Sequence, residues 1–336
     1  IRGLGKALYH EMGKEIEIYG IEDGYRGLIE GNYHKMKEHD FSGILNLGGT
    51  ILGTSRQPFK LMRVIDENSV DKVQNMKDNY KKMKLDCLVV LGGNGTHLLS
   101  SEGRNVVSMP KTIDNDIWGT DITFGFQSAV DIAANVLDNI HTTATSHGRI
   151  FIVEVMGHKV GWLTLHAGIA GSADAILLPE IPYSIDSIAR MIDQRSKAGK
   201  RFSIIAIAEG ARSKREAKMS KKEFKAARAA ENYPSIAYRL AKELGAATGH
   251  EIRVAVPGPI QRGGSPCPFD RVLSTRFGAA TAKLIKDENY GNMVAMRNNV
   301  IVPVPLSEVA GKLKTVPLDY DVIQTARDIG ICFGDD

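Results

Sequence analysis

The sequence predicts an α/β fold in which helices cross over between mostly parallel strands. Two observations carry this. Short, continuously apolar runs recur, as at residues 87–91, 150–155 and 203–208. Strands covered on both faces read this way, because neither face needs polar side chains. Between them lie segments with three- and four-residue apolar spacing, the period of an amphipathic helix. Such alternation builds a sheet with helical crossovers. With 336 residues, two domains are expected rather than one.

Val70, Val73, Met76, Tyr80 and Met83 mark a helix with one apolar face. The run at 87–91 (CLVVL) then reads as a buried strand ending at Gly92 and Gly93. Val106, Val107 and Met109 form the next strand, closed by Pro110. A long helix follows around residues 129–140, with further buried strands at 150–155, 175–178, 203–208 and 252–256. The chain opens at Ile1 directly in a helical pattern, and the stretch at 96–104 is short for a crossover. Ligands of such sheets bind beyond the carboxyl ends of the strands.

The composition, 43% hydrophobic and 24% charged, is that of an ordinary globular enzyme. The net charge of +4 comes without a basic tail or interleaved aromatics, so no nucleic-acid partner is expected. Local fields in a cleft could still favour anionic small molecules. No apolar run reaches membrane-spanning length, and no signal peptide is visible. Cys87, Cys267 and Cys332 are scattered. That pattern fits a reducing, cytoplasmic setting and gives no metal or redox motif.

Chemistry concentrates after the strand that contains Met109. Lys111, Thr112, Asp114 and Asp116 put two carboxylates and an ammonium on one short loop. A charged turn with an Asx cap would look similar. The functional reading separates the tasks. One carboxylate accepts a proton from a substrate hydroxyl, and the other orients Mg²⁺ or its waters. Lys111 neutralises a transferred phosphoryl group, and Thr112 hydrogen-bonds it. Phosphoryl transfer needs this positioning and electrostatic work more than covalent chemistry.

Gly92, Gly93, Asn94, Gly95 and Thr96 follow another strand. Their backbone N–H groups could face phosphate oxygens. A structural turn would read the same, since P-loop and dinucleotide spacings are absent. Arg149, Arg253 and Arg262 each border an apolar strand or a glycine loop, and guanidinium groups match phosphate bidentately. The alternative for each is a surface salt bridge. Met156, Gly157 and His158 follow the strand at 150–155, where a substrate-facing loop belongs. His158 reads either as a phosphate donor or as a structural histidine.

These residues resemble the phosphofructokinase A family. The match includes TIDND at 112–116, GTD at 119–121, FGFQSA at 124–129, EVMG at 154–157, PE at 179–180 and IQRGGSP at 260–266. It covers essentially the whole chain. The resemblance implies two Rossmann-like three-layer domains with mostly parallel sheets, the phosphofructokinase fold. Residues 1–125 plus 262–314 would form the phosphoryl-donor (ATP) domain, and 126–261 plus 315–336 the fructose 6-phosphate domain. The implied reaction is the glycolytic transfer of a phosphoryl group to the 1-hydroxyl of fructose 6-phosphate, with Mg²⁺.

By resemblance, Asp114 is the general base, Asp116 helps hold Mg²⁺, and Thr112 and Lys111 face the transferred group. Arg149 and Arg253 resemble the pair that binds the 6-phosphate across a subunit interface, which implies a homo-oligomer with shared sites, a tetramer by preference. Glu209 resembles the carboxylate that holds sugar hydroxyls. Met156, Gly157, His158 and Arg262 line the sugar site. Arg56 and Tyr25 resemble donor-phosphate residues, with Gly93, Asn94, Gly95 and Thr96 in the donor loop and Asn94 near the metal.

The departures from the pattern are Asn94 for aspartate, His158 for arginine and Pro259 for histidine. Gly95 leaves room for an ATP α-phosphate, whereas Lys111 also suits pyrophosphate. ATP is the expected donor and pyrophosphate the alternative, with a catalytically weak sugar-phosphate-binding homologue as a further one. Arg2, Lys6, Lys200 and Arg201 resemble effector-site cations. Glu38 and His141 stand where arginines are usual, so weak effector control is expected. The family places a strand and a glycine-rich phosphate loop before the position of Ile1 and a few more residues after His97. Their omission from this sequence is the expectation, because loss of a central strand would destabilise the core.

Overall fold

The computed structural model describes residues 1–55, 71–92, 100 and 102–336, without the Lys14 side chain. The chain divides into two compact units. One comprises Ile1–Thr112, Ile117–Gly125 and Gly264–Leu313; the other comprises Ile113–Asp116, Phe126–Gly263 and Lys314–Asp336. The described strands are β1 (Ile18–Ile21), β2 (Tyr33–Met36), β3 (Leu88–Gly92), β4 (Val106–Pro110), β5 (Ile150–Val155), β6 (Ala175–Leu177), β7 (Ser203–Ala208), β8 (Ile252–Ala255), β9 (Asn292–Arg297) and β10 (Val300–Pro305).

In the first unit a four-stranded sheet runs in the order β10-β9-β4-β3, with β1 and β2 forming a separate antiparallel pair. β3, β4 and β9 are parallel, and β10 returns antiparallel on β9. The return is a two-residue turn in which Asn298 and Asn299 have φ of 50° and 63°. Positive φ at both central positions matches the twist of a hairpin, and asparagine tolerates it. Successive residues of β9 go to opposite faces, as the pleat requires. Met293 and Ala295 join a core with Met76, Val106 and Ile117, while Val294 and Met296 join another with Leu8, Met109 and Phe277. β4 is buried throughout, but β3 is only half-buried. β3 has one strand neighbour among the described residues, so the full burial its composition suggests is not reached.

The helix Lys72–Lys82 begins where Asp71 accepts a 2.9 Å bond from the Gln74 N–H. This cap satisfies one of the donors left open at a helix start. The helix buries Val73, Met76 and Tyr80 as the spacing predicts; the expected Val70 lies outside the described residues.

In the second unit the sheet β6-β7-β5-β8 is entirely parallel. Every residue of β5 and β7 is buried. The helices Ile185–Lys197 and Ile236–Thr248 pack together over a core containing Ile152, Leu177, Ile188, Ile205 and Leu240. The helices Phe126–His147 and Trp162–Ala170 also pack on this sheet. The expected helix around 129–140 thus extends to 22 residues. No described helix is long and apolar enough to cross a membrane.

Candidate active site

The carboxyl edge of the second sheet collects the loops after β5, β6 and β7, the position at which parallel sheets bind ligands. After β5, Gly157 has φ of 146° and His158 has φ of 53°. A methyl group on Gly157 would stand 2.6 Å from the Val160 carbonyl oxygen, so this turn requires glycine. After β7, Glu209 is half-buried, and its Oε1 accepts bonds from the N–H groups of His158 at 2.5 Å and Gly157 at 3.3 Å. Gly210 packs so tightly that an added Cβ would lie 2.3 Å from the His158 carbonyl oxygen. The Met156 N–H donates to Gln261 Oε1 at 3.1 Å. Gln261 is fully buried, and it seats the 3₁₀ turn Gly258–Arg262 beside the Met156 loop. Arg262 ends that turn and is exposed, while Pro259 occupies its first turn, where a missing N–H costs nothing.

The acidic loop after β4 belongs to both units: Lys111 and Thr112 to the first, Ile113–Asp116 to the second. Lys111 is exposed; its N–H donates to the Gly92 carbonyl at 3.3 Å, and its backbone bridges to Phe124. Thr112 is half-buried, and its carbonyl accepts the hydroxyl of buried Thr123 at 2.8 Å. Asn115 is buried with φ of 54°, a conformation asparagine adopts more readily than most residues. It is flanked by half-buried Asp114 and Asp116. Burial pushes the Asp116 carboxyl above its ordinary range, opposed by its own backbone N–H and by the charges of His158, Lys314 and Lys159.

Lys314 is a residue that sequence reasoning missed. Its N–H donates to the Asp116 carbonyl at 3.0 Å, and its carbonyl accepts Trp162 Nε1 at 2.9 Å. Its ammonium lies 5.1 Å from the centre of the Trp162 ring. Glu180 supports the same strap, accepting the N–H groups of Gly161 and Val316, both at 3.0 Å, on one oxygen. Only the Pro179-Glu180 pair was marked in the sequence; nothing local marks Lys314.

The second unit therefore brings Asp116, His158, Glu209 and the Arg262 turn to one edge. Asp114 shares that unit and stands two positions before Asp116. Arg149 and Arg253 are not among them. Arg149 precedes β5 and Arg253 lies near the start of β8, at the amino ends of neighbouring strands. At about 3.3 Å per residue, β5 separates them from the Met156 loop by roughly 20 Å. In the first unit Tyr25 opens the helix Tyr25–Glu30 and packs against the core around Leu28, where burial pushes its hydroxyl up to about 12. Arg56, Gly93, Asn94, Gly95 and Thr96 lie outside the described residues.

A family model described as Phosphofructokinase matches residues 4–285. An ATP-dependent 6-phosphofructokinase of Spirochaeta thermophila is 54% identical over 342 residues, covering 100% of this chain and 93% of that protein. A protein of the same name from Propionibacterium freudenreichii is 47% identical over 360 residues, covering 100% and 95%. The phosphofructokinase structure from Saccharomyces cerevisiae superposes with a TM-score of 0.74 at 28% identity, covering 92% of this chain and 42% of that one. A pyrophosphate-dependent phosphofructokinase from Nitrosospira multiformis shares the fold, with a TM-score of 0.79 at 18% identity over 95% of this chain and 82% of that one.

Proposed function

The chain belongs to the phosphofructokinase family, and on that premise we propose that it transfers the terminal phosphoryl group of ATP to the 1-hydroxyl of fructose 6-phosphate. The gathering of Asp116, His158 and Glu209 at one carboxyl edge carries the reading, supported by the names of the relatives. We assign the acceptor sugar to the second unit and the donor to the first, and the reaction to the cytoplasm.

Asp114 takes the proton of the attacking hydroxyl, which raises its nucleophilicity as the new bond forms. Glu209 is held through Oε1 by the Gly157 and His158 N–H groups, and we assign its Oε2 to the sugar hydroxyls. Met156, Gly157, His158 and Arg262 border the sugar. We assign Lys111 and Thr112 to the transferred phosphoryl group, and Tyr25, Arg56 and Gly93, Asn94, Gly95 and Thr96 to the donor. Asp116 offers a half-buried carboxylate on the loop after β4, and one carboxylate is enough for Mg²⁺ that also takes substrate phosphate oxygens and waters. Asp116, with Asn94, would hold the ion, which neutralises donor-phosphate charge when bound. Arg149 and Arg253 serve the 6-phosphate in a neighbouring subunit of a homo-oligomer.

Asp114→Asn should lower kcat by about a thousandfold or more while acceptor binding survives, as steady-state kinetics and sugar-phosphate titration would read. Near-normal turnover would remove Asp114 from its role. Lys111 favours pyrophosphate as the second reading, because its charge suits a compact inorganic donor. A coupled assay with each donor in Mg²⁺ separates the two. Product with neither would point to a sugar-phosphate-binding homologue.

A further inference from the structure

The two arginines assigned to the acceptor phosphate hold a carboxylate between them. Glu251 immediately precedes β8. Its Oε2 lies 3.4 Å from Arg149 Nε, and its Oε1 pairs with Arg253 Nη2. Each carboxylate oxygen is thus taken by a different guanidinium. The parallel register, with Ile150 opposite Ile252 and Phe151 opposite Arg253, brings the three side chains together at one strand end. The cavity at that end is lined by His147, Arg149, Lys200, Arg201 and His250, and Glu251 is the only acidic residue among its described lining.

A phosphate dianion uses guanidinium groups in the same way as a carboxylate, through paired oxygens. It cannot take both groups while a carboxylate stays between them without like-charge repulsion. We propose that Glu251 is an internal competitor for the acceptor's 6-phosphate: it holds Arg149 and Arg253 until the phosphate displaces it, and it thereby sets acceptor affinity. The inference rests on the reading that these arginines bind that phosphate. Arg149, Glu251 and Arg253 are 34%, 56% and 50% exposed. Ion pairs this exposed are weak and screened by salt. Glu251 therefore tunes the acceptor KM and does not close the site.

Glu251→Gln keeps the shape and removes the charge. Acceptor KM should fall about two- to fivefold, the range an exposed ion pair supports, with donor KM as the internal reference. The difference from wild type should shrink at salt on the order of 1 M, where charges are screened within ~3 Å. Glu251→Ala should shift KM in the same direction. Arg149→Ala and Arg253→Ala, assayed in parallel, should each raise acceptor KM. If they do and Glu251→Gln leaves KM unchanged or raises it, the competition is refuted and the arginine assignment stands. If neither arginine variant changes acceptor KM, the assignment and the competition fall together.

Discussion

A methyl group at Gly210 would press within 2.3 Å of the His158 carbonyl oxygen. Backbone atoms cannot yield as a flexible side chain can, so the Glu209–Gly210 corner and the Gly157–His158 turn must separate. Overpacking of this kind costs about 1–3 kcal/mol. Here the displaced atoms include the N–H groups that fix Glu209. Gly210→Ala should therefore lower kcat/KM for the acceptor by roughly tenfold or more, with donor KM little changed, as steady-state kinetics would read. Glu180 offers a second residue-level test. Its Oε1 accepts two N–H groups, while its Oε2 is buried with no hydrogen-bond partner among the described residues, and burial raises its pKa. Glu180→Gln keeps the accepting oxygen and removes the poorly solvated charge, so stability should stay within about 1 kcal/mol of wild type. Glu180→Ala leaves two N–H groups without their acceptor and should cost about 2 kcal/mol or more in denaturant unfolding. Asp114 and Asp116 stand out in the sequence as two carboxylates on one short loop after an apolar strand, whereas Glu209 is marked only by the family resemblance. Gln261 and Glu180 fall inside the matched motifs but their contacts do not show there, and Lys314 carries no mark at all, because each acts through a backbone group distant in the chain.

At the scale of elements, the helices of the second unit are tied together by a buried ion cluster. Ser213 and Glu216 cap the short helix Lys214–Ala217 reciprocally. Glu216, 2% exposed, also accepts Arg239 Nη1 and Arg228 Nε, both at 2.7 Å, and Arg239 Nη2 at 2.8 Å. Arg239 reaches Tyr183 Oη in the core at 3.0 Å. Burial alone would raise the Glu216 carboxyl, but the bonds from Arg239 and the Ser213 N–H, with both arginine charges, hold it down to about 2. Its unfolded value is near 4.5. The folded form therefore binds fewer protons between these values, so its stabilising contribution is complete above about pH 4.5 and fades as pH falls toward 2. The contribution is on the order of 3 kcal/mol. Unfolding measured from pH 6 downward should show this decline, and Glu216→Gln should flatten it. Glu216→Ala should also lower stability at neutral pH, because buried Arg239 then keeps only Glu231, at 3.2 Å, and the Tyr183 hydroxyl as partners, and breaking a buried ion pair costs up to about 3–5 kcal/mol. The strands β4, β5 and β7 were legible because burial on both faces leaves uniform apolar runs. The β1–β2 and β9–β10 pairs are not legible in the same way: β1 and β2 are only four residues each and β2 is polar and exposed, and the β9–β10 turn rests on Asn298 and Asn299 without a glycine.

At the scale of the whole molecule, the chain passes between its two units at the acidic loop after β4, with Thr112 in one and Ile113 in the other. No local pattern in the sequence announces that crossing, because the residues on either side of it are equally polar and turn-like. The second unit also separates, along its strands, the two sets of residues that we assign to the acceptor. Asp116, His158 and Glu209 stand at the carboxyl edge, and Arg149 and Arg253 stand at the amino ends of β5 and β8. A strand of this length holds its ends roughly 20 Å apart, too far for one hexose phosphate to touch both, so within one chain the two sets cannot serve the same sugar. Two differently damaged chains should therefore repair each other. Asp114→Asn subunits retain intact arginines, and Arg253→Ala subunits retain an intact catalytic loop. Refolded together into the proposed shared-site oligomers, they should give some sites that draw the loop from one chain and the arginines from the other. Activity at low acceptor concentration should exceed the sum of the two homogeneous preparations and vanish on dilution to monomers. Strictly additive activity from confirmed mixed oligomers would place both sets in service of the same chain.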